Sequence, residues 1–260
     1  MVSSARCFGI DLAWSDGNPS GVCALDGEGW IVDERELGSD DEIVHWLAEQ
    51  LNGPAVLAVD APLLVPNSTG SRPSEADVAR VYSGRKAGPH PSNRSLFLSR
   101  YGRIRGEDLA ARFVALDFTD PWSDGLRTLL EVYPHPTLIE AFGLPERLVY
   151  KAKRGVSVDG RRIGLRNLAR LLDGLAGADP PLRGPALDVP DSARGRGLKS
   201  IEDRLDARCC AWIAAVWERH GFGRVRLFGS AAEGHVAIPF GRFAGDIRVD
   251  PVPRFDRPPG

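Results

Sequence analysis

Residues 55–60, AVLAVD, form a wholly apolar run that stops on a carboxylate. Such a run is too short for a buried helix. Without alternation it must be covered on both faces, so it reads as a central strand of a helix-flanked sheet. The preceding segments supply its neighbours. Ala5–Leu12 reads as a strand ending in Gly9-Ile10-Asp11. Gly21–Leu25 and Trp30–Glu36 are separated by Asp26-Gly27-Glu28-Gly29, a hairpin signal. Ser39 followed by Asp40, Asp41 and Glu42 caps a helix with Ile43, Val44, Trp46, Leu47 and Leu51 at helical spacing, and Gly53-Pro54 stops it.

Downstream, residues 63–105 are rich in Pro, Gly, Ser and Arg, with helical periodicity only over Pro73–Tyr82. Gly106–Leu116 reads as a helix. Thr128–Tyr133 reads as a second buried strand, stopped by Pro134-His135-Pro136. Residues 137–176 are helical in pieces, most clearly Arg161–Leu175, and 177–197 read as a loop. Ser200–Arg219 is the clearest helix, with Ser200 as its cap, Glu202 and Asp203 in its first turn, and Ile201, Leu205, Cys209, Trp212, Ile213 and Val216 on its apolar face. Val225–Phe228 and His235–Pro239 are late strands. The order predicts a mixed α/β fold. It predicts one domain over 1–245, with insertions at about 63–118 and 137–200, and a proline-rich tail over 246–260. No internal repeat is present.

The longest apolar runs are far shorter than the ~20 residues a membrane span needs, so no membrane partner is expected. Met1 leads into a strand-like run rather than a basic start and an apolar core, so no signal peptide is expected. Four cysteines, two of them adjacent at Cys209-Cys210, provide neither a disulfide framework nor zinc spacing. A reduced, cytoplasmic protein follows. The apolar Trp212–Trp217 face reads equally as core or as the seam of a homodimer.

The net charge of −2 hides an asymmetry. Residues 1–60 carry twelve acids and two arginines, 72–105 eight basic residues and two acids, and 147–172 eight basic residues and one acid. This pattern suits internal pairing, or carboxylates for metal beside arginines for phosphate.

Acidic residues fall where burial is costly. Asp11 and Asp60 end strands, Glu131 lies inside an apolar strand, and Asp203 and Asp206 share one face of the last helix. A lone aspartate after a strand is ordinarily a turn former, and Asp203 alone suits a helix first turn. Together, such carboxylates make a hard-oxygen site for Mg²⁺ or Mn²⁺. Two such ions about 4 Å apart suit phosphodiester hydrolysis.

Phe8-Gly9-Ile10-Asp11-Leu12-Ala13-Trp14 resembles the first strand of ribonuclease-H-like domains. Ala58-Val59-Asp60-Ala61-Pro62-Leu63, Glu131-Val132-Tyr133-Pro134-His135-Pro136, Leu205-Asp206-Ala207 and Glu233-Gly234-His235-Val236-Ala237-Ile238-Pro239 follow in order. Together they resemble a prokaryotic family of predicted nucleases of the ribonuclease H fold. The resemblance implies a five-stranded mixed sheet of order 3-2-1-4-5 flanked by helices. It implies a metal site of Asp11, Asp60, Glu131 and Asp206, with Asp203 as a further contributor, and nucleic acid as the substrate.

On that reading Arg72, Arg85, Lys86 and Arg94 are candidates for holding phosphates, with His135 as a further contact. Tyr82, Phe97 and Tyr101 are interleaved among the cations and could stack on bases. The Gly195–Ser200 stretch departs from a phosphate loop, because Leu198 separates glycine from lysine and no strand precedes it. Two other functions remain open. One is a nucleotide-binding phosphotransferase or ATPase of the same superfamily, disfavoured by the absence of a Gly-Thr run after Asp11. The other is a non-catalytic regulatory protein that kept the fold.

Overall fold

A computed structural model describes residues 5–253. Strands β1 (Arg6–Asp11), β2 (Ser20–Leu25) and β3 (Ile31–Leu37) form an antiparallel meander. Helix α1 (Asp40–Gln50) follows and leads to β4 (Ala55–Val59), which runs parallel to β1. Three helices come next: α2 (Pro73–Tyr82), α3 (Arg94–Tyr101) and α4 (Arg105–Val114). Then β5 (Phe118–Thr119) and β6 (Arg127–Glu131) pair in parallel, with β6 beside β4. Helices α5 (Pro134–Phe142), α6 (Val158–Asp173) and α7 (Gly195–His220) precede the hairpin of β7 (Val225–Ser230) and β8 (Gly234–Pro239).

The sheet has six strands in the order β3-β2-β1-β4-β6-β5, rather than the expected five. The five expected strands keep their expected neighbours. The sixth is the two-residue β5, which adds at the edge and carries too short a pattern to read. The late strands form a separate two-stranded sheet, joined to the rest by a bridge between Val132 and Ala237.

The Ser39 capping box opens α1 as the sequence predicts, with the hydroxyl accepting from the Glu42 amide. Helix α3 was not anticipated. Pro134 and Pro136 end the strand and also open α5, where a proline's fixed φ suits the first turn. Helix α7 begins five residues before the expected cap. Ser200 is therefore inside the helix, where its hydroxyl donates to Glu36, and Asp203 lies beyond the first turn.

Two apolar cores sandwich the sheet. One lies between the sheet and α1 and α4, centred on Trp46, Leu47, Leu109 and Phe113. The other lies under α5, α6 and α7. Helix α7 crosses the sheet at backbone contact: a Cβ on Gly9 would stand 2.1 Å from the Ala211 nitrogen, and one on Gly21 2.1 Å from the Asp203 carbonyl oxygen. Trp212 is buried in this core and its indole donates to the Pro180 carbonyl, so the tryptophan face belongs to the chain's own interior. Asn167 exchanges two hydrogen bonds with the backbone of Asp250, which fastens the start of the expected tail to α6. The rest of that tail, 254–260, lies outside the described residues. Among the described residues no helix is long and apolar enough to cross a membrane.

Candidate functional site

Parallel pairing of β1 and β4 sets Ile10 opposite Val59, so Asp11 and Asp60 leave adjacent strand ends together. The Asp60 amide donates to the Ile10 carbonyl at 2.9 Å, which fixes that alignment. Strand alternation decides the face. Ile10 and Val59 belong to the core under α1 and α4, so the next residues, Asp11 and Asp60, turn toward α7. There α7 supplies Asp203 and Asp206, and Asp206 is completely buried.

The same alternation sends Glu131 the other way. Glu131 is level with Val59, one residue earlier than Asp60, and its neighbours Leu130 and Val132 belong to the α7 side. Its carboxylate is held by Arg72 through two hydrogen bonds of 2.8 and 2.5 Å, and it accepts from the Leu63 amide. Arg72 is itself buried and also binds Glu75. Glu131, expected as a metal ligand, lines the same cavity as Asp11 and Asp60 and is near enough to act on Asp60 by its charge, but its carboxylate is already bound by Arg72.

A strap between α5 and α6 supplies the countercharge for the aspartates. Tyr150 donates its hydroxyl to Asp206 Oδ1 at 2.7 Å, and Lys151 Nζ stands 2.9 Å from Asp206 Oδ2. The strap lies directly on α6, because Gly164 there leaves room for the Val149 carbonyl, 2.0 Å from where a Cβ would be. Lys199, one turn before Asp203, donates to it and to Glu202.

Two lysines do not balance four buried or half-buried aspartates. Burial, with Asp203 alongside, pushes Asp11 up to about 6 despite Lys151 and Lys199. Burial and the charges of Asp11, Asp206 and Glu131 push Asp60 up to about 8. Asp206 rises to about 6, mainly by burial, and burial also raises Asp203. Burial works against the charge on Lys151, but Asp206, Tyr150, Asp11 and Asp60 outweigh it and hold its proton well above the usual lysine range.

This donor set is of the hard-oxygen type that a divalent cation takes. The Asp11 and Asp203 carboxyls face each other, and the buried Oδ2 of Asp203 has no hydrogen-bond donor. Facing carboxyls need a shared proton or a cation. The oxygen donors and the surplus negative charge are of the kind a hard divalent cation takes. No group of three or more such side chains among the described residues is gathered as a ready-made cage. Lys151 is the positive charge that the aspartates already surround.

Asp11, Asp60, Tyr150, Lys151 and Lys199 line a cavity of about 720 Å³, with Asp203 and Asp206 buried behind them. The basic residues expected to hold phosphate are engaged with acids and carbonyls of the chain. Arg72 lines the cavity but is the buried partner of Glu131. Arg85 binds Glu140 and the Leu144 and Pro145 carbonyls, Lys86 pairs with Glu146, and Arg94 pairs with Glu107. His135 does line the cavity, buried between the rings of Tyr133 and Tyr150. Burial and the nearby Lys151, Arg147, Lys153 and His90 keep it well below the usual histidine range, so it is neutral. Tyr82 and Phe97 are buried, whereas Tyr101 is half-buried on the cavity wall.

Tyr150, Lys151 and Lys199 were not anticipated. The one signal for the strap was the dense basic run from Arg147 to Arg154 just before a turn at Gly155.

No curated protein and no solved structure matches the chain. A family described as "Protein of unknown function (DUF429)" matches residues 9–233, a span that takes in Asp11, Asp60, Glu131, the Tyr150-Lys151 strap, Asp203 and Asp206 and ends just before β8. The acidic floor and the strap that neutralises it are thus features of a member: the chain belongs to the DUF429 family.

Proposed function

We propose that the protein is a divalent-metal-dependent nuclease with a ribonuclease-H-like domain, hydrolysing phosphodiester bonds at the floor of the cavity. The observation that carries this reading is the convergence of Asp11, Asp60 and Asp206, from the ends of two parallel strands and a long helix, with more negative charge than Lys151 and Lys199 neutralise. The order of the first four strands, with β2 and β3 antiparallel and β4 parallel to β1, supports the fold assignment.

Asp11, Asp60 and Asp206 would hold the cation, with Asp203 beside Asp11. Mg²⁺ or Mn²⁺, when bound, supplies a more acidic water and neutralises charge on the phosphate. Tyr150 and Lys151 fix Asp206 from the strap and keep it ionised. The Lys151 stem lines the cavity, so its ammonium is within reach of a phosphate oxygen entering there. Arg72 clamps Glu131 and steadies the segment after β4 through the Leu64 carbonyl.

The test is a panel of labelled single-stranded, duplex, hybrid and branched nucleic acids, incubated with Mg²⁺, Mn²⁺ or EDTA. Cleavage that requires the metal and disappears in Asp11→Asn is expected. Cleavage that survives both EDTA and Asp11→Asn would overturn the reading, as would no cleavage of any substrate with either metal.

A further inference from the structure

Nearly every basic side chain in this protein is committed to a carboxylate, a carbonyl or a ring. Among the described residues the exceptions fall in two short segments. Arg147, Lys153 and Arg154 lie on the strap between α5 and α6, and Arg194 and Arg196 lie at the start of α7. None of these five side chains has a hydrogen-bond, ion-pair or ring partner among the described residues, although the protein pairs even its exposed arginines elsewhere, such as Arg80 with Asp77 and Arg219 with Asp179.

The first segment lines the cavity and the second leads to it. Arg147 and Lys153 line it and act electrostatically on His135 within it. Lys199 lines it too, and Arg196 precedes Lys199 by one helical turn on the same face of α7. Lys153 and Arg154 are held out on a turn closed by the Val156 amide donating to the Lys153 carbonyl, with Gly155 at φ +87°. Unpaired cations that continue outward from an acidic floor suit a chain of phosphates better than a single one.

The wall also carries aromatic residues. Trp14, Tyr101 and Tyr133 are half-buried and line the cavity, Trp14 and Tyr101 packed edge to face beside Phe97. The floor is deep: Asp11, which lines it, is 9% exposed, and Asp206 behind it is fully buried. A double helix carries its phosphates on a stiff outer surface and its bases are already stacked. It can neither lower one phosphate to that floor nor offer bases to those rings. A single strand can do both.

We propose that the cavity binds single-stranded nucleic acid. Arg147, Lys153, Arg154 and Arg196 track its backbone, and Trp14, Tyr101 and Tyr133 provide the stacking surfaces. The proposal rests on the nuclease reading for what then happens to the strand, and its test is independent of cleavage.

Equilibrium binding of fluorescein-labelled single-stranded RNA and DNA, and of a blunt duplex of the same sequence, is measured in EDTA over a range of salt. Both single strands are expected to bind more tightly than the duplex, and the two arms rank the sugars. Each strand phosphate contact contributes about 0.7 to the salt slope. The Arg147→Ala, Lys153→Ala, Arg154→Ala triple variant should therefore lose about 2 units of slope, or about a hundredfold in affinity at 0.1 M salt. Lys153→Ala with Arg154→Ala, both on the exposed turn, should lose about 1.4 units without touching the packed part of the strap. Duplex bound as tightly as single strand, or an unchanged slope in either variant, would overturn the proposal. Strand binding as expected with no metal-dependent cleavage overturns the nuclease reading and leaves this one standing. Metal-dependent hydrolysis of bis(p-nitrophenyl) phosphate without strand binding does the reverse.

Discussion

The ammonium of Lys151 stands 2.9 Å from Oδ2 of Asp206, and Asp206 has no exposed surface. The two residues are 55 positions apart, and Lys151 sits on a strap that has no regular structure of its own. Asp206 therefore depends on a partner delivered by a loop. Lys151→Met would leave a buried carboxylate with only Tyr150 to satisfy it. The expected cost is about 1–3 kcal/mol in denaturant unfolding, because the Lys151 stem keeps some water access. Combining it with Asp206→Asn should recover much of that loss, since the charge to be compensated is gone. Additive losses in the double-mutant cycle would show that the pair is not coupled.

That dependence explains which parts of the site the sequence discloses. Asp11 and Asp60 are legible because each ends a strand with an apolar pattern, and parallel neighbours must bring such ends together. Asp206 is legible because it interrupts an apolar helix face. Lys151 is not legible, since no local pattern links it to a helix 55 residues on. The side to which Glu131 points was hidden by a single residue of register: β6 ends level with Val59, one step short of Asp60. In the fold, α3 is hidden in the sequence because Leu96, Phe97 and Leu98 are consecutive and only Phe97 is buried, so no helical stripe shows. Its caps, Asn93 accepting from the Leu96 amide and Gly102 at φ +75°, were the only sequence signal. The basic run over 72–105 suggested a phosphate surface, yet Arg72, Arg85, Lys86 and Arg94 each found an internal acid instead.

Arg72 should behave as a structural residue. Among the described residues it is the one cation bonded to the buried Glu131, and it also binds the buried Glu75, so Arg72→Ala leaves two buried charges uncompensated. Losing one partner of such a pair costs about 3–5 kcal/mol. Arg94→Ala, at a half-exposed pair with Glu107, should cost about 1 kcal/mol or less. Chemical denaturation of the two variants checks the contrast. Equal effects would remove Arg72 from that role.

Gly9 sets the height of α7 above the sheet. A methyl there would lie 2.1 Å from the Ala211 nitrogen and 2.3 Å from the Ala207 carbonyl oxygen, both backbone atoms that cannot turn aside. Gly9→Ala should lift the helix and cost about 3 kcal/mol. Because Asp206 precedes Ala207 directly, the same change should weaken divalent-cation affinity. Gly17→Ala meets no atom within 4 Å and serves as the control. A Gly9→Ala protein as stable as wild type would mean that α7 does not rest on β1 at this point.

The raised proton affinity of Asp60 has a consequence for stability with a definite sign. An unfolded aspartate titrates near ~3.9, whereas in the fold Asp60 titrates at about 8. Between those values the folded protein holds a proton that the unfolded chain has released. Stability from this group is therefore fully present below pH ~4 and declines as pH rises toward 8. Asp60→Asn removes the decline, so the melting temperature of Asp60→Asn minus that of wild type should grow from pH 4 to pH 8 in EDTA. The slope is at most about 1.4 kcal/mol per pH unit. A difference that stays flat, or shrinks, would contradict the assignment.

The same uncompensated charge predicts the effect of a divalent cation. A cation that binds the folded carboxylates and not the unfolded chain stabilises by about 2.7 kcal/mol at a hundredfold excess over Kd. For a chain of 260 residues that corresponds to a rise in Tm of about 5 °C. The rise should be larger at pH 8 than at pH 5, because Asp11, Asp60 and Asp206 must give up their protons to bind, and the first and last do so near 6. Mn²⁺ titration by calorimetry should show protons released, with a heat that depends on the buffer. Asp11→Asn and Asp206→Asn should each abolish the stabilisation, whereas Glu131→Gln should retain it, because the Glu131 carboxylate is already bound by Arg72. Loss of cation binding in Glu131→Gln with its fold intact would put Glu131 back among the ligands and require Arg72 to release it.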